Sequence, residues 1–223
     1  MSLTIIGTSH IARQSIEEIK QAFEAKPDIV ALELDSKRFY ALTHNVKGMP
    51  NIAKIGLKGF MFSLVGQWAQ QTLGKQVGVS PGAEMRTAIR LARKHKVQIC
   101  LIDQDIEVTL KRFSETLSWR ERFRIVGDVV KGFFKKEDYG IDLSKVPDKA
   151  IIKKLLLEVK SRYPNIYKVL VEERNVVMAR NLAKLMLRYP EQKILAIVGA
   201  GHEDELSALV KKYSLSYSFS VAM

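Results

Sequence analysis

Two short apolar runs at opposite ends of the chain close on the same tetrad. Residues 3–10 read LTIIGTSH and residues 193–202 read KILAIVGAGH. Each is an Ile-, Leu- and Val-rich run of strand rather than helix length, followed at once by Gly-x-x-His. A glycine at Gly7 and at Gly199, free to take positive φ, is expected to end each strand in a sharp turn and deliver an imidazole to the carboxyl edge of a sheet. In an open α/β sheet that edge is where ligands bind. If the two strands lie near one another and run parallel, His10 and His202 face one crevice from opposite ends of the sequence. They are two of only four histidines. The others read as structural or surface residues: His44 precedes a Gly/Pro-containing loop, and His95 sits in a cationic helix end that suits the helix dipole.

Two further apolar runs share this design. Residues 29–34, IVALEL, follow a helix predicted over 13–25 and a Lys26-Pro27-Asp28 break, so the chain opens as a βαβ unit with a parallel pair. That run ends at Glu33 and Asp35, with Arg38 in the next helix. Glu33 is placed to reach the crevice assigned to His10, while Asp35 and Ser36 suit a helix cap. Residues 97–103 form a third run ending in Asp103-Gln104-Asp105. Strands that repeatedly finish in histidine or carboxylate point to an ionic or metal site along one sheet edge. The predicted fold is α/β: a central, mainly parallel sheet of about four to five strands flanked by helices, in one domain over 1–223 with helical segments at 52–79 and 106–189.

The helical parts carry their own signals. Residues 59–74 hold no charge, and Leu57, Phe60, Met61, Leu64, Val65, Trp68 and Thr72 fall at helical spacing. This segment is too short and glutamine-rich to span a bilayer and reads as an amphipathic helix packed on the body, a partner chain or a membrane surface. Ser80-Pro81-Gly82 predicts a helix start with Ser80 as N-cap, placing Glu84 and Arg86 in its first turns. Residues 119–136 form a basic amphipathic helix, most simply packed on the core through its aromatic side, alternatively laid on a membrane surface. Over 165–188, Arg174 and Asn181 share a stripe with Leu170, Val177, Met178 and Leu185. Burying such groups is costly without partners, so they are expected to pair across the core or with Glu33 or Asp103. Glu173 flanks the same region. A short helix over 203–212 and a last strand over 213–223 complete the chain.

The net charge of +12, from 36 Lys and Arg against 24 Asp and Glu, favours an anionic partner. No zinc finger, aromatic RNP pattern or basic zipper is present, which argues against nucleic acid as that partner. The single cysteine, Cys100, excludes an intramolecular disulfide. With no signal peptide visible, the expected location is the cytoplasm.

GTSHIARQS at 7–15, ALELDSKR at 31–38, PGAEMRTAIRLA at 81–92, LIDQDIEVTLKR at 101–112, EERN at 172–175 and VGAGH at 198–202 resemble, in order, the motif series of the TraB/PrgY family. The resemblance implies an erythromycin esterase-like and ChaN-like fold shared with Tiki proteins. It further implies a divalent ion, manganese or cobalt, tied to peptidase activity and to the two Gly-x-x-His motifs. On that pattern His10 and His202 are metal ligands, with Glu33 and the Glu173-Arg174 pair as companions. PrgY-type members are implicated in inhibiting a peptide pheromone, and some members carry membrane segments after this domain, so a membrane surface or a C-terminal membrane anchor outside this chain is among the partners the resemblance allows. One departure stands out: Gln104 replaces the arginine expected in an Asp-Arg-Asp-Ile motif.

Residues and resemblance together predict a metal-dependent hydrolase of a peptide or small acyl substrate. His10, His202 and Glu33 would hold the ion, and zinc is as compatible as manganese or cobalt with the ligand types. Glu33 or Glu173 would act as general base and Arg174 as an electrostatic partner. Arg38, Glu84, Arg86 and Asp103 would contact substrate. The alternatives are a metal-free esterase-like hydrolase and a domain that sequesters a peptide without cleaving it. Homo-oligomerisation is compatible with any of these.

Overall fold

The computed structural model describes residues 2–8, 13–44, 82–134 and 149–221. The amphipathic segment at 52–79, His10, the expected N-cap Ser80 and Pro81 lie outside the described residues.

In chain order the elements are β1 (Ser2–Thr8), α1 (Arg13–Glu24), β2 (Ile29–Leu32), α2 (Ser36–His44), α3 (Ala83–His95) and β3 (Gln98–Leu101). There follow α4 (Ile106–Thr116), α5 (Trp119–Phe134), α6 (Lys149–Arg162) and α7 (Pro164–Tyr167). A π-helical turn (Lys168–Glu172) then leads into α8 (Glu173–Arg188), β4 (Lys193–Gly199) and α9 (Glu203–Val221).

Among the described residues the sheet has four strands in the order β1-β4-β2-β3, with every pairing parallel. The first and last strands are therefore neighbours, in register from Ser2 opposite Lys193 to Thr8 opposite Gly199. The opening βαβ unit does not form an adjacent pair, because β4 lies between β1 and β2. Burial explains the insertion. Residues 194–199 of β4 are buried throughout, as is all of β2, whereas β1 is exposed or half-buried over most of its length. The strands that are apolar on both faces occupy the interior of the sheet.

Pleat alternation divides the core into two layers. Val30, Leu32, Leu195 and Ile197 face α1 and α3, joining Ile19, Phe23, Met85, Ala88 and Ala92. Ile29, Ala31, Ile194, Ala196 and Val198 face α8 and α9, joining Met178, Ala179, Leu182, Leu206 and Val210. Each large aliphatic side chain fully buried here contributes roughly 1.5–3 kcal/mol. Glu33 continues the odd-numbered face of β2, so the alternation carries its carboxylate towards α8.

Several sequence expectations are corrected. Residues 213–221 continue α9 and do not form a strand. Tyr213 packs against the second core layer, and the Arg180 guanidinium lies 5.3 Å from its ring centroid, so the helical face persists beyond 212. Helix α3 starts at Ala83 with Gly82 at the N-cap position at φ 74°, which removes Ser80 from that role. Gly7 lies inside β1 and Gly199 inside β4, and among described glycines only Gly82 has positive φ. What Gly7 permits is close approach: a Cβ there would lie 2.5 Å from Glu203 Oε2 and 2.9 Å from Ala200 Cα.

Helix α5 turns its first aromatics outward, with Trp119 69% and Phe123 72% exposed. The inward residue is Glu121. Ser118 N–H and Oγ donate to its Oε2 at 3.1 and 2.9 Å, and Glu121 N–H donates back to Ser118 Oγ at 3.2 Å, forming a capping box. The backbone N–H of Asn165 donates to Glu121 Oε1 at 2.8 Å, which ties α5 to the start of α7 and fixes its rotation.

Candidate functional site

Because the strands are parallel, their carboxyl ends lie on one edge of the sheet. Glu33 follows β2, Asp103 follows β3, and the turn after β4 delivers His202 to the head of α9. Helix α8 crosses this edge and adds Arg174 and Asn175. The π-helical turn ends at Glu172, two residues before Arg174; such turns recur at functional sites.

Glu33, at 6% exposure, is held on both oxygens. Gly199 N–H donates to Oε2 at 2.6 Å, and Arg174 Nη2 donates to Oε1. Arg174 also donates through Nε to Asp103 Oδ1 at 3.1 Å, through Nη2 to Asp103 Oδ2 at 2.5 Å and through Nη1 to the Leu170 carbonyl at 3.1 Å. Arg38 Nη2 donates to Asp103 Oδ2 at 2.6 Å, and its Nε donates to Asp35 Oδ2 at 2.6 Å. Asp35 in turn caps α2, its Oδ1 accepting from the backbone N–H of Lys37 and Arg38 at 2.8 and 3.0 Å. Two half-buried guanidiniums and three buried carboxylates thus form a continuous chain from α2 to α8.

Pairing is what makes this burial affordable in free energy. Burial works against the charge on Arg174, but Glu33 and Asp103 outweigh it and hold the guanidinium above its ordinary pKa. Arg38 is likewise raised: burial lowers it, Asp103 and Asp35 more than offset that, and Arg174 works against them.

His202 is buried beside this chain at 7% exposure. Its Nε2 lies 3.4 Å from Glu33 Oε1 and 3.3 Å from Arg174 Nη1. Its Nδ1 lies 2.6 Å from Oδ1 of Asn175, a residue with no exposed surface, and Asn175 Nδ2 donates to Glu205 Oε2 at 2.7 Å.

The structure therefore joins five predicted site residues, Glu33, Arg38, Asp103, Arg174 and His202, into one cluster. Glu173 points elsewhere: Arg112 holds its carboxylate at 2.8 Å through Nη2 and 3.2 Å through Nε. Glu84 is buried in the first turn of α3, while Arg86 is exposed on the same helix. Asn181, expected to pair, donates to the Ile102 carbonyl at 2.9 Å. Gln104 donates to Thr109 Oγ1 at 3.0 Å, and Asp105 caps α4, accepting from Glu107 N–H at 2.8 Å.

Sequence reasoning missed Asn175 and Glu205. The buried stripe of α8 runs through Asn175, Met178, Ala179 and Leu182, one position on from the stripe read through Arg174 and Val177. A signal for Asn175 was its place in the EERN motif; Glu205, three residues after His202, carried none beyond its charge.

The donor set bears on a metal. Neutral imidazole with carboxylate suits a divalent ion, and His202 has the anchored Nδ1 that metal-binding histidines show. Among the described residues no group of three His, Cys, Asp or Glu is arranged to hold a metal ion. Of the three expected ligands, His202 and Glu33 are described, their Nε2 and Oε1 lying 3.4 Å apart with the Arg174 guanidinium against both atoms, and His10 lies outside the described residues. Among the same residues no helix is long and apolar enough to cross a membrane.

Comparison with known proteins accords with the motif series. The TraB/PrgY/gumN family model matches residues 2–205. An uncharacterised protein of Methanocaldococcus jannaschii is 34% identical over 219 residues, covering 93% of this chain and 53% of that protein. The human and mouse TraB domain-containing proteins are each 24% identical over 228 residues, covering 89% of this chain and 60% of theirs. The chain thus spans between about half and three fifths of these relatives. With an α/β fold built on a parallel sheet and a family match over nearly its full length, this chain belongs to the TraB/PrgY/gumN family.

Proposed function

We propose that the chain is a hydrolase of a peptide or related acyl bond, working where His202, Glu33 and Arg174 converge, with manganese, cobalt or zinc as its cofactor. The observation that supports this reading is the position of His202 Nε2, buried at the sheet edge with a carboxylate oxygen and a guanidinium nitrogen within 3.4 Å. His10, His202 and Glu33 are the proposed ligands. A divalent ion bound there would supply Lewis acidity and a water of lowered pKa.

The chain's own groups divide the remaining work. Glu33, fixed by Gly199 N–H and Arg174, orients its Oε1 at the imidazole. Arg174 offsets the buried carboxylates and sits where negative charge develops on an acyl oxygen. Arg38, whose side chain is 31% exposed against 14% for Arg174, is the guanidinium open to an incoming substrate carboxylate.

A second reading draws on the same 3.4 Å approach: His202 acts as general base without a metal, and Glu33 steadies the imidazolium that forms. The deciding experiment loads the protein with manganese, cobalt or zinc, desalts it, and measures metal by mass spectrometry beside His10→Ala and His202→Ala. A screen of peptide and ester substrates follows, with and without chelator. Near-stoichiometric metal lost in both variants, together with chelator-sensitive hydrolysis, is the expected result. Chelator-resistant hydrolysis abolished by His202→Ala selects the metal-free scheme. Peptide binding without turnover, unchanged in His202→Ala, would replace both with a sequestering domain.

A further inference from the structure

We infer that Asn175 and Glu205 act as positioning residues that fix the tautomer of His202, placing the ring proton on Nδ1 and leaving Nε2 with the lone pair that faces Glu33 and Arg174. The functional consequence rests on the hydrolase reading above; the tautomer itself follows from the hydrogen-bond chain.

An ionised carboxylate only accepts hydrogen bonds, so the Asn175 atom 2.7 Å from Glu205 Oε2 must be the amide nitrogen. With Nδ2 committed to Glu205, the Asn175 atom facing His202 is the amide oxygen, 2.6 Å from Nδ1. An amide oxygen also only accepts, so Nδ1 is the donor and carries the proton. In the neutral ring Nε2 then holds the lone pair. At Nε2 a donor and an acceptor compete: Arg174 Nη1 at 3.3 Å can donate to the lone pair of the neutral ring, whereas Glu33 Oε1 at 3.4 Å would accept a proton there once the ring is charged, so the assignment holds for the neutral ring.

The relay is built to resist reversal. Asn175 has no exposed surface, so its amide cannot turn over and satisfy itself with bulk water. Residues 173–188 form one helix and residues 203–221 another, so the spacing between Asn175, Glu205 and His202 is set by the packing of α8 on α9. A histidine whose reactive nitrogen is selected by the bond at its other nitrogen is a recognised device for both metal ligation and base catalysis. The proposed relay thus serves either form of the hydrolase.

The test is the tautomeric state of His202 in metal-free, chelator-treated protein at about pH 8, above the ordinary imidazole range. Long-range proton–nitrogen correlation spectra separate Nδ1–H from Nε2–H rings, and four histidines give a sparse spectrum in which His202→Gln assigns the resonance. The wild type is expected to show Nδ1–H alone. Asn175→Leu and Glu205→Leu are expected to give a mixture or the Nε2–H form. Glu205→Gln, which keeps an acceptor for Asn175, should restore the wild-type pattern. An Nε2–H ring in the wild type, or an unchanged Nδ1–H ring in Asn175→Leu, overturns the inference. If circular dichroism shows Asn175→Leu unfolded, the partly exposed position Glu205→Leu carries the same two outcomes.

Under the hydrolase reading Asn175→Leu also lowers kcat about 10- to 100-fold with little change in KM. Loss of the tautomer without any hydrolysis in the wild type would uphold the relay and count against the hydrolase, so the two failures are distinguishable.

Discussion

Arg174 and Asp103 stand 71 residues apart in sequence and meet through two hydrogen bonds, Nε to Oδ1 at 3.1 Å and Nη2 to Oδ2 at 2.5 Å. The same guanidinium reaches Glu33, so one side chain on α8 ties together the ends of β2 and β3. Arg174→Met strips two buried carboxylates of a common partner, and a loss of about 3–5 kcal/mol is expected. Arg174→Lys keeps the charge but not the planar fork and should recover only part of it. Urea unfolding of the three proteins measures both.

At Gly7 the expected effect is steric. The Cβ of Gly7→Ala would meet Ala200 Cα at 2.9 Å, and backbone cannot swing aside as a side-chain end can. Destabilisation of about 1–3 kcal/mol is expected from this overpacking, read as a lower urea midpoint with an unchanged slope. A neutral result would mean that the turn after β4 is looser than described.

Glu121 gives a pH dependence. Burial raises its pKa, but side-chain and backbone hydrogen bonds from Asn165 and from Ser118 outweigh that and hold it below the ordinary carboxylate value. A depressed carboxyl contributes stability above its unfolded-state pKa and loses it as pH falls through the folded-state value. The advantage of wild type over Glu121→Gln should therefore be present at neutral pH and shrink under acid. Paired urea melts at about pH 7 and about pH 3.5 test this, and an advantage that grows under acid would contradict it.

Glu33 and Glu173 should separate in function. Both are candidate bases by sequence, yet Glu33 lies against His202 whereas Glu173 is held by Arg112. Glu33→Gln is expected to lower hydrolysis by at least about 100-fold, and Glu173→Gln by less than about 3-fold, in the range general-base removal spans. A Glu173→Gln loss as large as that of Glu33→Gln would require the two carboxylates to share the chemistry. Stability should follow the same order, because Arg112 and Glu173 are partly exposed and such pairs contribute about 1 kcal/mol or less.

Much of this arrangement was legible residue by residue. Apolar runs of strand length marked β1 to β4, and Glu33, Asp103 and His202 after three of them marked one edge. Asp35 read as a cap and is one. Arg174 and Asn181 read as polar groups needing partners, and each has one. Other features escaped because local pattern and packing disagree. Residues 213–221 alternate like a strand, but they extend a helix already docked on α8. The aromatic side of α5 looked inward by composition, whereas the capping box of Glu121 turned Trp119 and Phe123 out.

Periodicities, strand ends and the chemical types gathered at them are local properties, set by neighbours within a few residues. Packing of the whole chain sets the rest: β4 lies between β1 and β2, Glu33 meets Arg174 across 141 positions and Gly199 across 166, and Asn175 is the residue behind His202. Those outcomes depend on which apolar faces bury one another. A one-position shift in the face of α8 exchanges Arg174 for Asn175 at the core, and the EERN motif holds both residues without distinguishing which of them faces inward.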